Sequence, residues 1–284
     1  MSNKVIVGIG EILWDMLPSG KALGGAPANF AYHAKRLGME ALAVSAIGHD
    51  ALGEEIVDTL EAHALPYHLD RVDHPTGTVQ VTLDAKGVPQ YEIKKGVAWD
   101  SIPYSKELAA IAAECRAVCF GSLAQRSPVS RKTIAWFLDA VPAACLKVFD
   151  INLRQIYYRK TVLQESLRRC DFLKINDEEI RIVADLFGLE GGDDTAVCRA
   201  LIKRYRLQLV ILTKGAAGSE VITATEVIPQ AAGKCKVVDT VGAGDAFTAA
   251  FVVAYLRGET LADAQRLASE TAAYVCSCKG AMPL

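Results

Sequence analysis

The chain has 284 residues, 51% of them hydrophobic and 23% charged, with 31 basic against 33 acidic side chains. That is too apolar for intrinsic disorder, and a formal net charge of −2 gives no bulk basic field for nucleic acid or anionic membranes. No apolar run reaches the roughly 18 residues of a membrane span, and a chain this long buries about 75% of its unfolded surface, enough for one large core.

In chain order, Val5–Ile9 reads as a buried strand and runs into Gly10-Glu11-Ile12-Leu13-Trp14-Asp15. Apolar spacing then predicts a helix over Ala28–Leu37, a strand over Ala41–Ile47 and a helix over Leu52–His63. Residues 76–95 change to period two around a turn at Asp84–Gly87, the pattern of a β-hairpin. Val79, Val81 and Leu83 fall on one of its faces, Thr78, Gln80 and Thr82 on the other. Strands follow at Ala117–Phe120, Leu146–Ile151, Phe172–Ile175, Gln208–Leu212 and Ser219–Ile222, with helices at Val129–Ala140, Glu178–Phe187 and Thr195–Tyr205. A short strand at 236–238 leads to a glycine loop, and a long apolar helix begins after Asp245. Such alternation specifies an α/β fold, a mostly parallel sheet with helices on both faces. There is no internal repeat and no low-complexity linker. The hairpin lies outside the alternation and fits either an edge pair or a small sheet over an active site.

In open α/β sheets ligands bind beyond the carboxyl ends of the strands, so the loops after strands carry the information. Gly242-Ala243-Gly244-Asp245 combines bare backbone N–H groups, a helix start and a carboxylate. Together these suit an anion beside a proton acceptor, the needs of phosphoryl transfer to an alcohol. The competing reading is Asp245 as a plain helix N-cap. Asp150, Asn152 and Arg154 alternate with Ile151 and Leu153 at a strand end and would converge on one side. Asn176 and Glu179 have capping-box spacing, which explains them structurally. Thr213-Lys214-Gly215-Ala216-Ala217-Gly218 has the form TxGxxG, and Gly24-Gly25-Ala26-Pro27-Ala28-Asn29 opens a helix. Neither a Walker GxxxxGK[ST] nor a GxGxxG fingerprint occurs, which counts against a dehydrogenase.

The eight cysteines include no CxxC pair and no zinc spacing, and read as reduced core thiols, with Cys276 and Cys278 the pair to watch for oxidation. The five histidines show no triad or metal spacing and read as surface or packing residues. Trp99-Asp100, after the hairpin, fits lid support or ligand contact equally. The first residues lack the long apolar region of a secretory signal, so a cytoplasmic location is expected.

Two long stretches, in order, resemble a known family. Asp239-Thr240-Val241-Gly242-Ala243-Gly244-Asp245-Ala246-Phe247 is similar to the C-terminal motif of PfkB (ribokinase-like) carbohydrate kinases, and Gly24-Gly25-Ala26-Pro27-Ala28-Asn29-Phe30-Ala31 to their N-terminal glycine-rich motif. The resemblance spans essentially the whole chain. It implies one ribokinase-like α/β domain over residues 1–284, with a small β lid built from about 11–23 and 76–98. It implies ATP-dependent phosphorylation of a sugar hydroxyl, with Asp245 as base and Gly242, Ala243 and Gly244 forming the anion hole. Asp15, Gly25 and Asn29 would meet the sugar, with Arg154, read from its strand end, pairing with substrate or phosphate oxygens; Thr213, Gly215 and Gly218 would meet the nucleotide, and Ser269 stands near the place where some relatives use Asn beside adenine. Asn176 and Glu179 would hold hydrated Mg2+ through water, and Asp239 and Val241, near Lys279–Gly280, a monovalent cation such as K+. A homodimer through the lid is also compatible with the resemblance, with no nucleic-acid or membrane partner.

The stretches 24–29 and Ala98-Trp99-Asp100 look more like fructokinases than ribokinases, whose glycine motif commonly has Lys where this chain has Ala26. Fructose is therefore the expected acceptor, with ribose, 2-keto-3-deoxygluconate or a nucleoside as alternatives. A catalytically inactive sugar- or nucleotide-binding regulator is the contrasting reading. A carboxylate at an ordinary aspartate pKa of about 3.9 is a weak base toward an alcohol, which does not count against Asp245, because the hydroxyl gains acidity late in phosphoryl transfer.

Overall fold

The computed structural model describes residues 4–17, 20–83, 89–189 and 192–283. The first half of the chain forms β1 (Val5–Ile9), β2 (Leu13–Leu17), β3 (Gly20–Gly24), α1 (Ala26–Arg36), β4 (Ala41–Gly48), α2 (Ala51–Ala62), β5 (Tyr67–Val72), β6 (Thr78–Leu83), β7 (Pro89–Ile93), α3 (Lys106–Ala113), β8 (Cys115–Phe120) and α4 (Pro128–Ala140). The second half forms β9 (Leu146–Asp150), α5 (Lys160–Arg169), β10 (Phe172–Asn176), α6 (Asp177–Phe187), α7 (Asp194–Tyr205), β11 (Leu209–Thr213), β12 (Ser219–Ile222), β13 (Val227–Gln230), α8 (Ala243–Leu256) and α9 (Leu261–Cys276).

Nine strands make one sheet in the order β13-β12-β11-β10-β9-β8-β1-β4-β5. From β5 to β11 every pairing is parallel; β12 and β13 add antiparallel strands at one edge. Strands buried on both faces need apolar residues at successive positions, and these have them. Ile6 packs into one core with α1, α8 and α9, while its neighbour Val7 packs into the opposite core with α3 to α7. Val148 and Phe149, and Val210 and Ile211, divide between the two cores in the same way. The chain leaves β1 toward β4 on one side and later places β8 on the other, so the switch point lies between β1 and β8. That is where a doubly wound sheet opens a crevice.

The hairpin joins a second sheet of order β3-β2-β6-β7, with β2 and β6 parallel. Its predicted turn, Asp84–Gly87, lies outside the described residues. Trp14, on β2, ties this sheet to the main body by donating its indole N–H to the Leu52 carbonyl at 3.0 Å.

Three local expectations change. Residues 236–238 form no strand, and Val237 and Val238 are exposed. No strand lies beside them, and the Val238 and Asp239 N–H groups both donate to the Cys276 carbonyl at the end of α9. The last apolar helix pair begins at Ala243, not after Asp245, so Asp245 sits inside the first turn and Gly242 is the N-cap. Finally, β9 stops at Asp150 and Asn152 has φ 42°, which breaks the alternation expected to align Asp150, Asn152 and Arg154. The sequence pattern also passed over β5, β13, α3, α5 and α9, whose apolar periodicity is short or diluted by alanine and charge.

Among the described residues no helix is long and apolar enough to cross a membrane. The cysteines are free: Cys115, Cys119, Cys145, Cys170 and Cys198 are buried, Cys235 is exposed, and Cys276 and Cys278 are half-buried. His33 is a packing residue, with Nε2 2.9 Å from the Ala281 carbonyl and burial lowering its pKa to about 4.

Candidate active site

The two glycine motifs meet. Asn29, in the first turns of α1, donates from Nδ2 to Asp245 Oδ2 at 2.7 Å. Gly25 caps α1 with φ 124°, and a Cβ there would stand 2.4 Å from the Glu11 carbonyl, so only glycine lets the helix start lie against the segment after β1. Gly242 has φ 78°, and its Cβ would stand 2.5 Å from that of Ala281. This turn tilts α8 so that Asp245 faces α1. The helical ladder starts with Ala246 N donating to the Gly242 carbonyl at 2.9 Å, and Ala243 N is spent on Thr240. The N–H groups of Gly244 and Asp245 thus precede the ladder at the positive end of a 14-residue helix. The plain N-cap reading of Asp245 fails, because its carboxylate binds Asn29 across the cleft and Gly242 occupies the cap.

Beneath this turn lies a charged layer. Asp150 is buried at the end of β9 and accepts from Thr248 Oγ1 at 2.9 Å and from Lys174 Nζ at 3.2 Å. A Cβ on Gly244 would come 3.1 Å from that same Nζ, so the ammonium sits against the first turn of α8. Burial disfavours the Lys174 charge, but Asp150, Glu179 and Asp245 outweigh it and its pKa is raised. Asp245, desolvated and facing the Asp150 charge, has its pKa raised to about 7, against the pull of Asn29, Lys174 and Arg154. Burial, and a second carboxylate in that dry setting, make ionisation costly.

Asp15 lies within β2 rather than just after β1, and burial raises its pKa while Arg154 opposes. Arg154 is exposed, yet its charge acts on Glu11, Asp15 and Asp245 together, so it belongs electrostatically to the cleft. Glu11 is buried with Oε2 unpartnered, and burial raises its pKa. Asn29 Oδ1 likewise has no partner.

The capping box forms as expected: Asn176 Oδ1 accepts from Glu178 N and Glu179 N, and Glu179 Oε2 from Asn176 N at 3.0 Å. Glu179 Oε1 also accepts from Leu153 N at 2.8 Å, pinning the 151–154 loop. Each of its oxygens keeps a lone pair for water or a hydrated cation. Thr213 ends β11, and Gly215 and Gly218 shape the turn behind it, with Lys214 N donating to the Gly218 carbonyl at 2.8 Å. Ser269 is buried and bonds both ways to a neighbouring loop, accepting from Gly233 N and donating to the Ala231 carbonyl, each at 3.1 Å. Asp239 accepts from Val241 N in its own loop and from Gly280 N, each at 3.0 Å, and so joins the two segments expected around a monovalent cation. Asp100 is ion-paired with Arg126 (Nε to Oδ1, 2.8 Å) and Trp99 is fully buried, so this pair braces the base of the small sheet.

Sequence reasoning passed over Lys174, Glu11 and Thr248. The signal was present: Lys174 is the one cation inside the apolar strand Phe172–Asn176, and Thr248 interrupts an otherwise apolar helix. A lone polar residue in a run bound for the core needs a partner there, but its identity is decided only by the fold.

The profile of pfkB family carbohydrate kinases matches residues 19–284. The chain belongs to that family. It is an ATP-dependent carbohydrate kinase, most like fructokinases. A fructokinase of Rhizobium leguminosarum bv. trifolii is 28% identical over 280 residues, covering 93% of this chain and 83% of its own. The structure of a fructokinase from Xylella fastidiosa with bound ATP superposes with a TM-score of 0.86 at 21% identity, covering 99% of this chain and 94% of that one. A Vibrio cholerae fructokinase with fructose, ADP and potassium ion bound gives a TM-score of 0.82 at 22% identity, covering 99% and 94%. At those identities the two structures carry the ribokinase-like fold.

Proposed function

We propose that this kinase phosphorylates fructose to fructose 6-phosphate, with Asp245 as general base. The observation that supports this most is the 2.7 Å bond from Asn29 to Asp245, which brings an amide and a carboxylate from the two glycine motifs together in one cleft. A base with a pKa of about 7 is half ionised at neutral pH, close to the optimum for general base catalysis. In a loose phosphoryl-transfer transition state the hydroxyl becomes acidic late, so Asp245 first orients it and then takes its proton. The N–H groups of Gly244 and Asp245 face the charge that develops on the transferred group, and Lys174 beneath Gly244 adds to their field. Asp15, Gly25, Asn29 and Arg154 hold the sugar; the unspent Asn29 Oδ1 and Glu11 Oε2 are acceptors for its hydroxyls.

Thr213, Gly215 and Gly218 contact the nucleotide, and Ser269 acts on it through the 231–233 loop that it fastens. Bound Mg2+ supplies charge neutralisation on the nucleotide phosphates. Among the described residues no three His, Cys, Asp or Glu side chains converge to hold a metal directly. The oxygen donors of Asn176 and Glu179 fit a cation that keeps most of its waters. The Asp239 loop, oxygen-rich and partly exposed, fits K+. The β3-β2-β6-β7 sheet closes over the sugar as a lid, and its outer strands are edges on which a second copy can pair.

The test is ADP formation with ATP and Mg2+ across fructose, ribose, 2-keto-3-deoxygluconate and adenosine, for the native chain and Asp245→Asn. Fructose-dependent turnover that falls by roughly 10²–10⁴ in the variant is expected. Full activity in Asp245→Asn would remove the base assignment, and preference for another acceptor would remove fructose.

A further inference from the structure

A cavity of about 490 Å³ opens between the end of the small sheet and the starts of α4 and α5. None of Asp15, Asn29, Asp150, Lys174 or Asp245 lines it. Its size is that of a small-molecule site. Its wall carries Lys95, Arg126, Arg131 and Arg159, with Asp100 the acidic residue among the lining. Asp100 is committed to Arg126 and to the N–H groups of Gly96 and Val97, so among the described residues no carboxylate in the lining is left for the other three cations.

Two further features point to an anion. The N-caps of α4 and α5 are Ser127 and Arg159, and both line this cavity. Neither helix has a side-chain cap or an acidic residue in its first turn. Two uncapped helix starts, of 13 and 10 residues, thus bring their partial positive charge to one place. An arginine at an N-cap is unfavourable for the helix by itself, since a cation there opposes the dipole.

The second feature is Arg126, whose side chain is only 7% exposed. It binds Asp100 through Nε and Nη2 at 2.8 and 2.9 Å and the Lys94 carbonyl through Nη2, and it stacks over Trp99 and Tyr157. Its Nη1 has no hydrogen-bond partner. Asp100 neutralises Arg126 but leaves its Nη1 donor unmet, and among the described lining residues no other carboxylate offsets Lys95, Arg131 and Arg159.

We propose that this cavity binds a small phosphate-bearing metabolite, at a site lined by none of the residues placed in the Asp245 cleft, its phosphate held by Arg131, Arg159 and the free N–H groups at the start of α5, while α4, whose first residue Pro128 has no N–H, adds the field of its dipole. Lys95 follows β7, and Tyr157 donates from its hydroxyl to the Ile93 carbonyl on β7 at 3.2 Å, so an occupant would also bear on the small sheet. The assignment holds whichever sugar the kinase phosphorylates.

The test is calorimetric titration of inorganic pyrophosphate into the full chain without Mg2+, for the native protein, Arg131→Ala/Arg159→Ala and Arg159→Asp. Saturable binding that weakens with salt is expected in the native protein, with at least a tenfold loss in the double variant. Arg159→Asp supplies a favoured N-cap, so it should lose binding while its Tm holds or rises by roughly 1–2 °C, which separates lost binding from lost folding. Pyrophosphate held at Gly242–Asp245 instead would bind both variants as tightly as the native chain, and that result overturns the assignment. Absence of saturable binding to the native chain below about 10 mM overturns it as well.

Discussion

Asp245→Asn should make the protein more stable at pH 8 and give most of that gain back at pH 5. In the native chain the carboxyl titrates at about 7, against 3.8 for an unstrained aspartate. At 1.36 kcal/mol per unit, that gap is a cost of roughly 4 kcal/mol for keeping the ionised form folded at alkaline pH. The sign follows from proton counting. Between about pH 4 and pH 7 the folded state holds a proton that the unfolded state has released, so folding stability falls as pH rises through that window and is fully reduced above it. An asparagine does not titrate, and its amide oxygen still accepts from Asn29. From pH 8 to pH 5 the native chain recovers roughly two units, so the advantage of the variant should shrink by roughly 2–3 kcal/mol. Urea denaturation of both proteins at the two pH values, without ligands, measures this difference of differences, in which any fixed packing effect of the substitution cancels. An equal ΔΔG at pH 5 and pH 8 would refute the claim that Asp150 and desolvation burden this carboxylate. A catalytic group that costs stability is the expected trade between activity and folding.

The same proton appears in kinetics: kcat/KM for the sugar should fall about tenfold per unit below an apparent pKa near 7, and Lys174→Met, which removes a cation that favours ionised Asp245, should move that limb upward and lower the rate at neutral pH. A pH–rate profile of the native chain and this variant decides it, and a limb that stays in place sets Lys174 aside. Gly242→Ala should lose roughly 2 kcal/mol or more, because φ 78° is strained for alanine and its Cβ would meet Ala281 at 2.5 Å. Thermal melting checks it, with a drop of several degrees expected; an unchanged Tm would mean that the turn relaxes freely.

Much of this enzyme was legible as sequence. Runs such as Val5–Ile9 and Phe172–Ile175 declare strands buried on both faces, because a residue between two helical layers is apolar unless, like Lys174, it meets a buried partner. The capping box at Asn176 and Glu179 is local, four residues long, and forms as its spacing requires. The two glycine motifs marked the family and the residues to watch. Expectations failed where local pattern had no neighbour to support it. Val237 and Val238 look like a strand but have no strand beside them, and the alternation at 150–154 ends where Asn152 turns left-handed.

What only the tertiary structure decided is electrostatic. Residues 29 and 245 are far apart in the chain, as are 150, 174 and 248, and no periodicity links them. Their meeting places one ammonium and two carboxylates in a dry layer under a helix start, and that juxtaposition, absent from any single segment, lifts Asp245 to about 7. The basic cavity at α4 and α5 arises in the same way, from Lys95, Arg126 with Arg131, and Arg159 on three separate segments. Hydrophobic pattern is local and repeats, so the sequence by itself determined the layers. Coulomb energy depends on distance and on the dielectric between groups, and both exist only once the chain has folded.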